Sequence, residues 1–129
     1  MRFEQHITFL PVADIDVSDL FYRTTLGLEL ALDQGDCRIY RIARDAYLGI
    51  CVRDPAGPSP GVMITLVTHD VDTWHRRLLD AGTPCDRPPT RNERYGIYQA
   101  FYRDPDGHVI EIQRFDGQFP AADLVGAPD

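Results

Sequence analysis

A pattern of one strand, one helix and three further strands occurs twice along the 129-residue chain. Residues 14–16, Asp-Ile-Asp, offer the start of one predicted helix with Asp16 as its N-cap, and residues 70–72, Asp-Val-Asp, repeat this pattern at the start of a second helix. Gly27 and Gly82 end these helices, so helix start and helix end recur after 56 and 55 residues. A nearly constant period indicates a duplicated module. The sequence therefore predicts an α+β fold built from two β-α-β-β-β modules.

The module boundaries follow from a stretch rich in proline and glycine. Residues 54–61 contain three prolines and two glycines without a large apolar side chain, which is typical of a linker. We expect a first module over residues 1–53 and a second over residues 62–115, together forming one domain. Residues 116–129 are expected to form a loosely held C-terminal tail.

The most specific local signal is a β-hairpin near the C-terminus. Two runs rich in aromatic and β-branched residues flank residues 104–107, whose sequence Asp-Pro-Asp-Gly is typical of a tight turn. Alternation along the second strand puts Ile110 and Ile112 on the packed side, and Glu111 and Gln113 on the other. Glu111 therefore points either toward water or toward a cavity.

The same alternation predicts two different faces for the first and last strands of each module. One face is expected to pack against the helices, and its residues are Ile7, Phe9, Ile64, Leu66, Ile110 and Ile112. The opposite face mixes polar and apolar groups, and two such faces brought together would enclose a cavity. The residues predicted for that face are His6, Thr8, Met63, Thr65, Glu111 and Gln113.

The formal net charge of −7 and the absence of lysine argue against an extended basic surface. Nucleic acids and anionic membranes are therefore not expected as partners. No apolar run is long enough for a signal segment or a membrane span, so we expect a soluble, cytoplasmic protein. Cys37, Cys51 and Cys85 lack Cys-x-x-Cys spacing, which predicts free thiols.

Four stretches of the chain resemble the vicinal oxygen chelate superfamily, which includes glyoxalase I, extradiol dioxygenases and metal-free bleomycin-binding proteins. The stretches are His6 to Phe9, Phe21 to Leu28, the helix start at Asp70 with Gly82, and Asp104 to Glu111. The resemblance covers nearly all of residues 3–115, and the last stretch is its most specific part. It implies the glyoxalase/bleomycin resistance/dioxygenase fold, in which two modules form a curved sheet around a cavity.

The resemblance also implies a site for a divalent metal ion, Fe, Mn, Ni or Zn. Superfamily members take ligands from the first and last strands, where this chain has His6 and Glu111, and Glu111 is also the candidate catalytic base. A further ligand usually opens the second module, where Val62 and Met63 bind such an ion poorly, so the site is incomplete. Other candidate ligands are His69, His75 and Cys51, and the fourth strand, which carries a carboxylate in glyoxalase-type sites, has Tyr47, Gly49 and Cys51.

Two functions stay open at this point. The first is a metal-assisted lyase, isomerase or dioxygenase that acts on a substrate with vicinal oxygens, in a cavity lined by Thr8, Met63, Thr65 and Gln113. The second is metal-free binding and sequestration of a small aromatic or cationic molecule, since the negative net charge favours a cation. The resemblance further implies a homodimer, with the modules pairing either within one chain or between two.

Overall fold

The computed structural model describes residues 1–121, which form two four-stranded sheets. The first consists of β1 (His6–Val12), β2 (Glu29–Asp33), β3 (Cys37–Ala43) and β4 (Ala46–Val52), in the spatial order β1-β4-β3-β2. The second consists of β5 (Met63–Val67), β6 (Cys85–Asn92), β7 (Ile97–Arg103) and β8 (Val109–Phe115), in the order β5-β8-β7-β6. In each sheet the first and last strands pair in parallel and the other pairs are antiparallel. The predicted α+β fold of two β-α-β-β-β modules is confirmed.

One helical segment follows the first strand of each module. Helix α1 (Ile15–Asp19) begins where the Asp14 carboxylate accepts hydrogen bonds from two backbone N–H groups of the first turn, at 3.0 and 3.2 Å. The predicted N-cap, Asp16, is therefore wrong by two residues, because the Asp16 backbone N–H is itself one of these donors. It continues as a π-helical segment, Leu20–Thr25, and helix α2 (Val71–Asp80) covers the second sheet. Within residues 1–121, no helix has the length and apolar character that crossing a membrane requires.

The predicted linker and tail contain turns rather than regular structure where they are described. Residues 54–61 connect β4 to β5 without a helix or strand. Residues 116–121 follow β8, also without a helix or strand. Residues 122–129 of the predicted tail lie outside the described residues.

The predicted hairpin turn joins β7 to β8. Gly107 has φ of 86°, a left-handed conformation that glycine adopts readily. The Asp104 carboxylate accepts hydrogen bonds from the backbone N–H groups of Asp106 and His108, at 3.0 and 2.8 Å. Asp104 is only 3% exposed, so these bonds are shielded from water and fix the shape of the turn.

One apolar core serves both modules. Its buried residues include Leu10 and Val12 of β1, Leu48 and Ile50 of β4, Tyr22, Leu78 of α2, and Ile110 and Ile112 of β8. The helix-facing sides of both sheets therefore contribute to a shared interior. We call the other side of each sheet its open face, because it points away from that interior.

Polar contacts also join the two modules. The Tyr22 hydroxyl donates a hydrogen bond to the Asp104 carboxylate at 2.6 Å, and both residues are buried. His108 Nε2 lies 2.7 Å from the backbone oxygen of Pro11, and the Arg77 guanidinium donates to the backbone oxygen of Thr24 at 3.0 Å. The hairpin turn is thus anchored to the first module.

The structure confirms the predicted faces of β8 and reverses those of β1. Leu10 and Val12 are buried in the core, so alternation places His6 and Thr8 on the helix-facing side as well. The predicted orientation of β1, with His6 and Thr8 on the cavity side, is therefore wrong.

Ile7 and Phe9 lie on the open face of the first sheet, where they are 41% and 50% exposed. Phe9 pairs with Gly49 of β4, and its ring fills the space above that glycine. A Cβ atom at Gly49 would lie 2.4 Å from the ring. Both alternating sets of β1 are partly apolar, and the sequence pattern by itself did not distinguish them.

The prediction of three free thiols is wrong for two of them. Cys37 and Cys51 lie directly opposite each other on β3 and β4 and form a disulfide, whereas Cys85 is a free thiol. The register of the two antiparallel strands creates this contact, and cysteine spacing alone does not reveal it. Disulfides are rare in reducing compartments, so the cytoplasmic location stays a prediction.

Burial raises the pKa of Tyr22 well above its ordinary value of 10, and the neighbouring Asp104 raises it further. Burial likewise raises the pKa of Tyr40 and of Tyr102. The folded chain therefore keeps protons that the unfolded chain releases near pH 10. This contribution to stability is fully present below pH 10 and is lost as the pH rises toward the higher pKa of the folded state.

We expect Tyr22→Phe to lower the free energy of unfolding by about 1–3 kcal/mol at pH 7, because the buried Asp104 carboxylate loses a donor. The variant should also lose less stability than the wild type between pH 10 and pH 11.5. Urea denaturation measures both effects. The matched control is Tyr95→Phe at a residue that is 64% exposed. Equal losses in the two variants would contradict the prediction.

Candidate functional site

A strip of polar side chains crosses the open face of the second sheet. Glu111 of β8 lies between Thr65 of β5 and Phe101 of β7, and Gln113 pairs with Gln99 two residues further along β8. Gln99, Glu111 and Gln113 are 7%, 7% and 9% exposed, respectively. Polar groups at this depth need hydrogen-bond partners. The strip is therefore the strongest candidate for a ligand-binding surface.

The Glu111 carboxylate has one hydrogen-bond partner among the described residues. The Thr65 hydroxyl donates to Glu111 Oε1 at 2.7 Å. Within residues 1–121, Glu111 forms no ion pair with an arginine or histidine. A carboxylate can accept about four hydrogen bonds, so most of its capacity is left for another group.

Apolar side chains border the polar strip. Met63 and Val67 of β5 are 50% and 56% exposed on the same face, and Phe101 is half-buried beside Glu111. Small-molecule sites commonly combine an apolar lining with a few well-placed polar groups. This composition fits recognition of an organic molecule that has a polar end.

Of the residues predicted for the site, the structure brings together Met63, Thr65, Glu111 and Gln113. Their common face follows from the parallel register of β5 and β8. Gln99 joins them as a site residue that was not predicted from the sequence. Counting outward from the hairpin turn would have found it, because antiparallel pairing across that turn places Gln99 opposite Gln113.

The structure does not bring His6 and Thr8 to this strip. Both lie on the helix-facing side of the first sheet, where His6 Nε2 is 2.8 Å from Thr8 Oγ1 and the His6 side chain is exposed. Thr8 borders a small cavity of about 70 Å³ between β1 and β5, together with Val62 and His108. His6 and Glu111 thus belong to different sheets and to different kinds of face.

The open face of the first sheet is mainly apolar. Ile7 and Phe9 are exposed on it, Ile39 lies beside Gly49, and the Arg41 guanidinium lies 5.5 Å from the centre of the Tyr47 ring. Exposed apolar patches of this kind mark sites of interaction.

The match to a known family covers both modules. A family model described as the Glyoxalase/Bleomycin resistance protein/Dioxygenase superfamily matches residues 5–112. The chain belongs to this superfamily. The match confirms the resemblance drawn from the sequence, and superfamily members bind small-molecule ligands and often dimerise.

Similar proteins span nearly the whole chain. The uncharacterized Bacillus subtilis protein YraH is 24% identical over 119 residues, which cover 81% of this chain and 93% of YraH. The glyoxalase/bleomycin resistance protein/dioxygenase structure from Alicyclobacillus acidocaldarius has a TM-score of 0.74 at 20% identity and covers 91% of this chain and 96% of its own. The lactoylglutathione lyase structure from Agrobacterium tumefaciens has a TM-score of 0.66 at 22% identity, with 84% and 90% covered. At these identities the two structures show a shared fold.

Superfamily members often use divalent metals, but the donors that residues 1–121 bring to the open face of the second sheet do not form a complete site for such an ion. Among residues 1–121, Glu111 is the one anionic metal-ligand candidate at the centre of the second sheet's open face. Met63 of that sheet and Gly49 of the first sheet occupy positions where a ligand would be expected. In the part of the chain that the structure describes, no three His, Cys, Asp or Glu side chains are grouped closely enough to hold a metal ion.

The other candidate ligands are engaged or lie elsewhere. Cys51 is bonded to Cys37. His75 Nδ1 lies 2.7 Å from the Tyr102 hydroxyl, on the side of the second sheet that packs against α2. His69 borders a cavity of about 160 Å³ together with Val67 and Phe115, and Glu111 does not line this cavity.

We expect Thr65→Val to lower the free energy of unfolding by about 1–3 kcal/mol, because the substitution keeps the shape of the side chain and removes the donor to a buried carboxylate. The loss should be smaller in a Glu111→Gln background, since a neutral amide is less costly to leave unpaired. Urea denaturation of the single and double variants measures this coupling. The control is Thr90→Val, at an exposed residue whose hydroxyl donates to a backbone oxygen. Additive effects of Thr65→Val and Glu111→Gln would show that the two side chains do not interact.

Proposed function

We propose that this protein binds and sequesters a small organic molecule on the open face of its second sheet, without a metal ion. The observation that carries the proposal is the strip of buried polar residues, Gln99, Glu111 and Gln113, on a face bordered by apolar side chains. Buried amide and carboxylate groups are costly unless they are hydrogen bonded. Hydrogen bonds from these groups to a ligand would increase its affinity and also fix its orientation on the sheet.

The proposal includes a homodimer in which a second copy covers the open faces. The helix-facing sides of both sheets are already buried in one core within a chain. The open faces are therefore the sheet surfaces that remain to pair with a second chain. Four apolar side chains on those faces are each at least 41% exposed, namely Ile7, Phe9, Met63 and Val67. Apolar area of this kind is stabilised by contact with a partner.

Sedimentation velocity should give the mass of two chains for the wild type. Phe9→Asp is expected to shift the equilibrium from dimer toward monomer, because a carboxylate replaces an apolar ring at the contact between the two chains. The matched control is Leu79→Asp, at a residue of α2 that is 48% exposed and lies away from the open faces. A monomeric wild type, or equal dissociation in the two variants, would contradict the arrangement.

The binding function is tested by screening a set of neutral and charged fragments against isotope-labelled protein. We expect binding fragments to shift the backbone amide signals of Thr65, Glu111 and Gln113, because these residues lie together on the proposed surface. Gln113→Leu should weaken the same fragments, since it removes a buried amide from the strip. Binding that perturbs other surfaces and leaves these three signals unchanged would overturn the proposal.

The alternative function is a metal-assisted lyase, isomerase or dioxygenase, with His6 and Glu111 as metal ligands and Glu111 as catalytic base. The shared fold with the Agrobacterium tumefaciens lactoylglutathione lyase supports it. The separation of His6 from the face of Glu111 speaks against it.

Metal content distinguishes the two functions. We expect protein purified without a tag or chelator to contain Fe, Mn, Ni and Zn far below one ion per chain by mass spectrometry. Adding these ions should leave the melting temperature unchanged. Near-stoichiometric metal that disappears in a His6→Ala, Glu111→Ala double variant would favour the metal-assisted enzyme instead.

A further inference from the structure

The burial of Glu111 and its single hydrogen-bond partner among the described residues indicate what kind of ligand binds to the open face of the second sheet. Glu111 is more than nine-tenths buried, yet its only partner among the described residues is the Thr65 hydroxyl. A single neutral donor compensates little of the cost of removing a carboxylate from water. Since Glu111 Oε2 has no hydrogen-bond partner among residues 1–121 and is not fully enclosed, a bound molecule can reach it.

The arginines nearest to Glu111 along the sheet do not neutralise it. Arg103 is bound to Asp86 at 2.6 Å and to the backbone oxygen of Gly107 at 2.9 Å. Arg87 lies beyond Phe101 on β6, exposed to solvent, and forms no ion pair with Glu111. Within the part of the chain that the structure describes, no arginine or histidine therefore forms an ion pair with the Glu111 carboxylate.

The neighbouring groups favour an organic cation over a metal ion. The amides of Gln99 and Gln113 both donate and accept hydrogen bonds, so they can bind N–H groups and polar atoms of an organic molecule. Met63 and Phe101 lie on the same face and offer apolar side chains to its body. A divalent ion would need further anionic or imidazole ligands, and the described residues do not group them here.

We propose that the ligand is an organic cation with N–H donors, an amidinium, guanidinium or ammonium group on an apolar body, and that its charge pairs with Glu111. This inference rests on the proposed binding function. The net charge of −7 supports a cationic ligand, because the negative electrostatic field of the protein attracts cations before they bind.

The test compares three probes of nearly the same shape: benzamidine, which is cationic, benzamide, which is neutral, and benzoate, which is anionic. Each is titrated into isotope-labelled full-length protein at pH 7, and the amide signals of Thr65, Glu111 and Gln113 are followed. We expect the Kd of benzamidine to be roughly tenfold lower than that of benzamide, as a charged hydrogen bond provides. Benzoate should leave these signals unchanged.

Two matched variants separate the local charge from the overall charge. Glu111→Gln should remove the preference, so that benzamidine and benzamide bind this variant with equal affinity. Glu93→Gln changes the net charge equally at an exposed residue and should keep the preference. If Glu111→Gln does not fold, which its circular dichroism would show, the wild-type comparison of the three probes decides the matter by itself.

The outcomes distinguish the inference from the function on which it rests. Equal affinities for benzamidine and benzamide on the open face, or a preference that survives Glu111→Gln, would overturn the cationic ligand while leaving the binding function in place. If neither these probes nor any member of the fragment set shifts the open-face signals, both the binding function and this inference fail.

Discussion

The apolar core shared by the two modules determines which side chains can meet a ligand. Both sheets bury their helix-facing sides in it, with Leu10 and Val12 from one module and Ile110 and Ile112 from the other. Burial of apolar area is the largest favourable term in folding, so these residues fix the orientation of their strands. Each odd-numbered residue of β8 is then turned to the open face, and Glu111 is placed there as a consequence.

The buried junction between Tyr22 and Asp104 ties this core to the hairpin that carries Glu111. Asp104 accepts hydrogen bonds from the Tyr22 hydroxyl and from two backbone N–H groups of its own turn. The turn therefore depends on the first module for part of its stability, although it belongs to the second. This contact holds the turn that precedes β8 against the first module.

The open face of the second sheet differs from a metal centre in the number and kind of its donors. One carboxylate, one hydroxyl and two amides are well suited to an organic molecule and poorly suited to a divalent ion. The open face of the first sheet adds apolar side chains and an arginine beside Tyr47. A dimer that brings two such faces together would close the polar strip behind an apolar wall, which would strengthen its electrostatic contacts by excluding water.

The sequence by itself determined the duplicated modules, the Asp-Pro-Asp-Gly hairpin and the face on which Glu111 lies. These features depend on local patterns, because only one parity of β8 carries the isoleucines and the turn residues have a specific backbone conformation. The tertiary structure alone decided the orientation of β1, since Ile7 and Phe9 are as apolar as Leu10 and Val12. The missing side chain at Gly49 accommodates the Phe9 ring, and this pairing is not visible until β1 and β4 are neighbours. The disulfide between Cys37 and Cys51 and the pairing of Gln99 with Gln113 likewise depend on strand register, which relates residues that are distant in the chain.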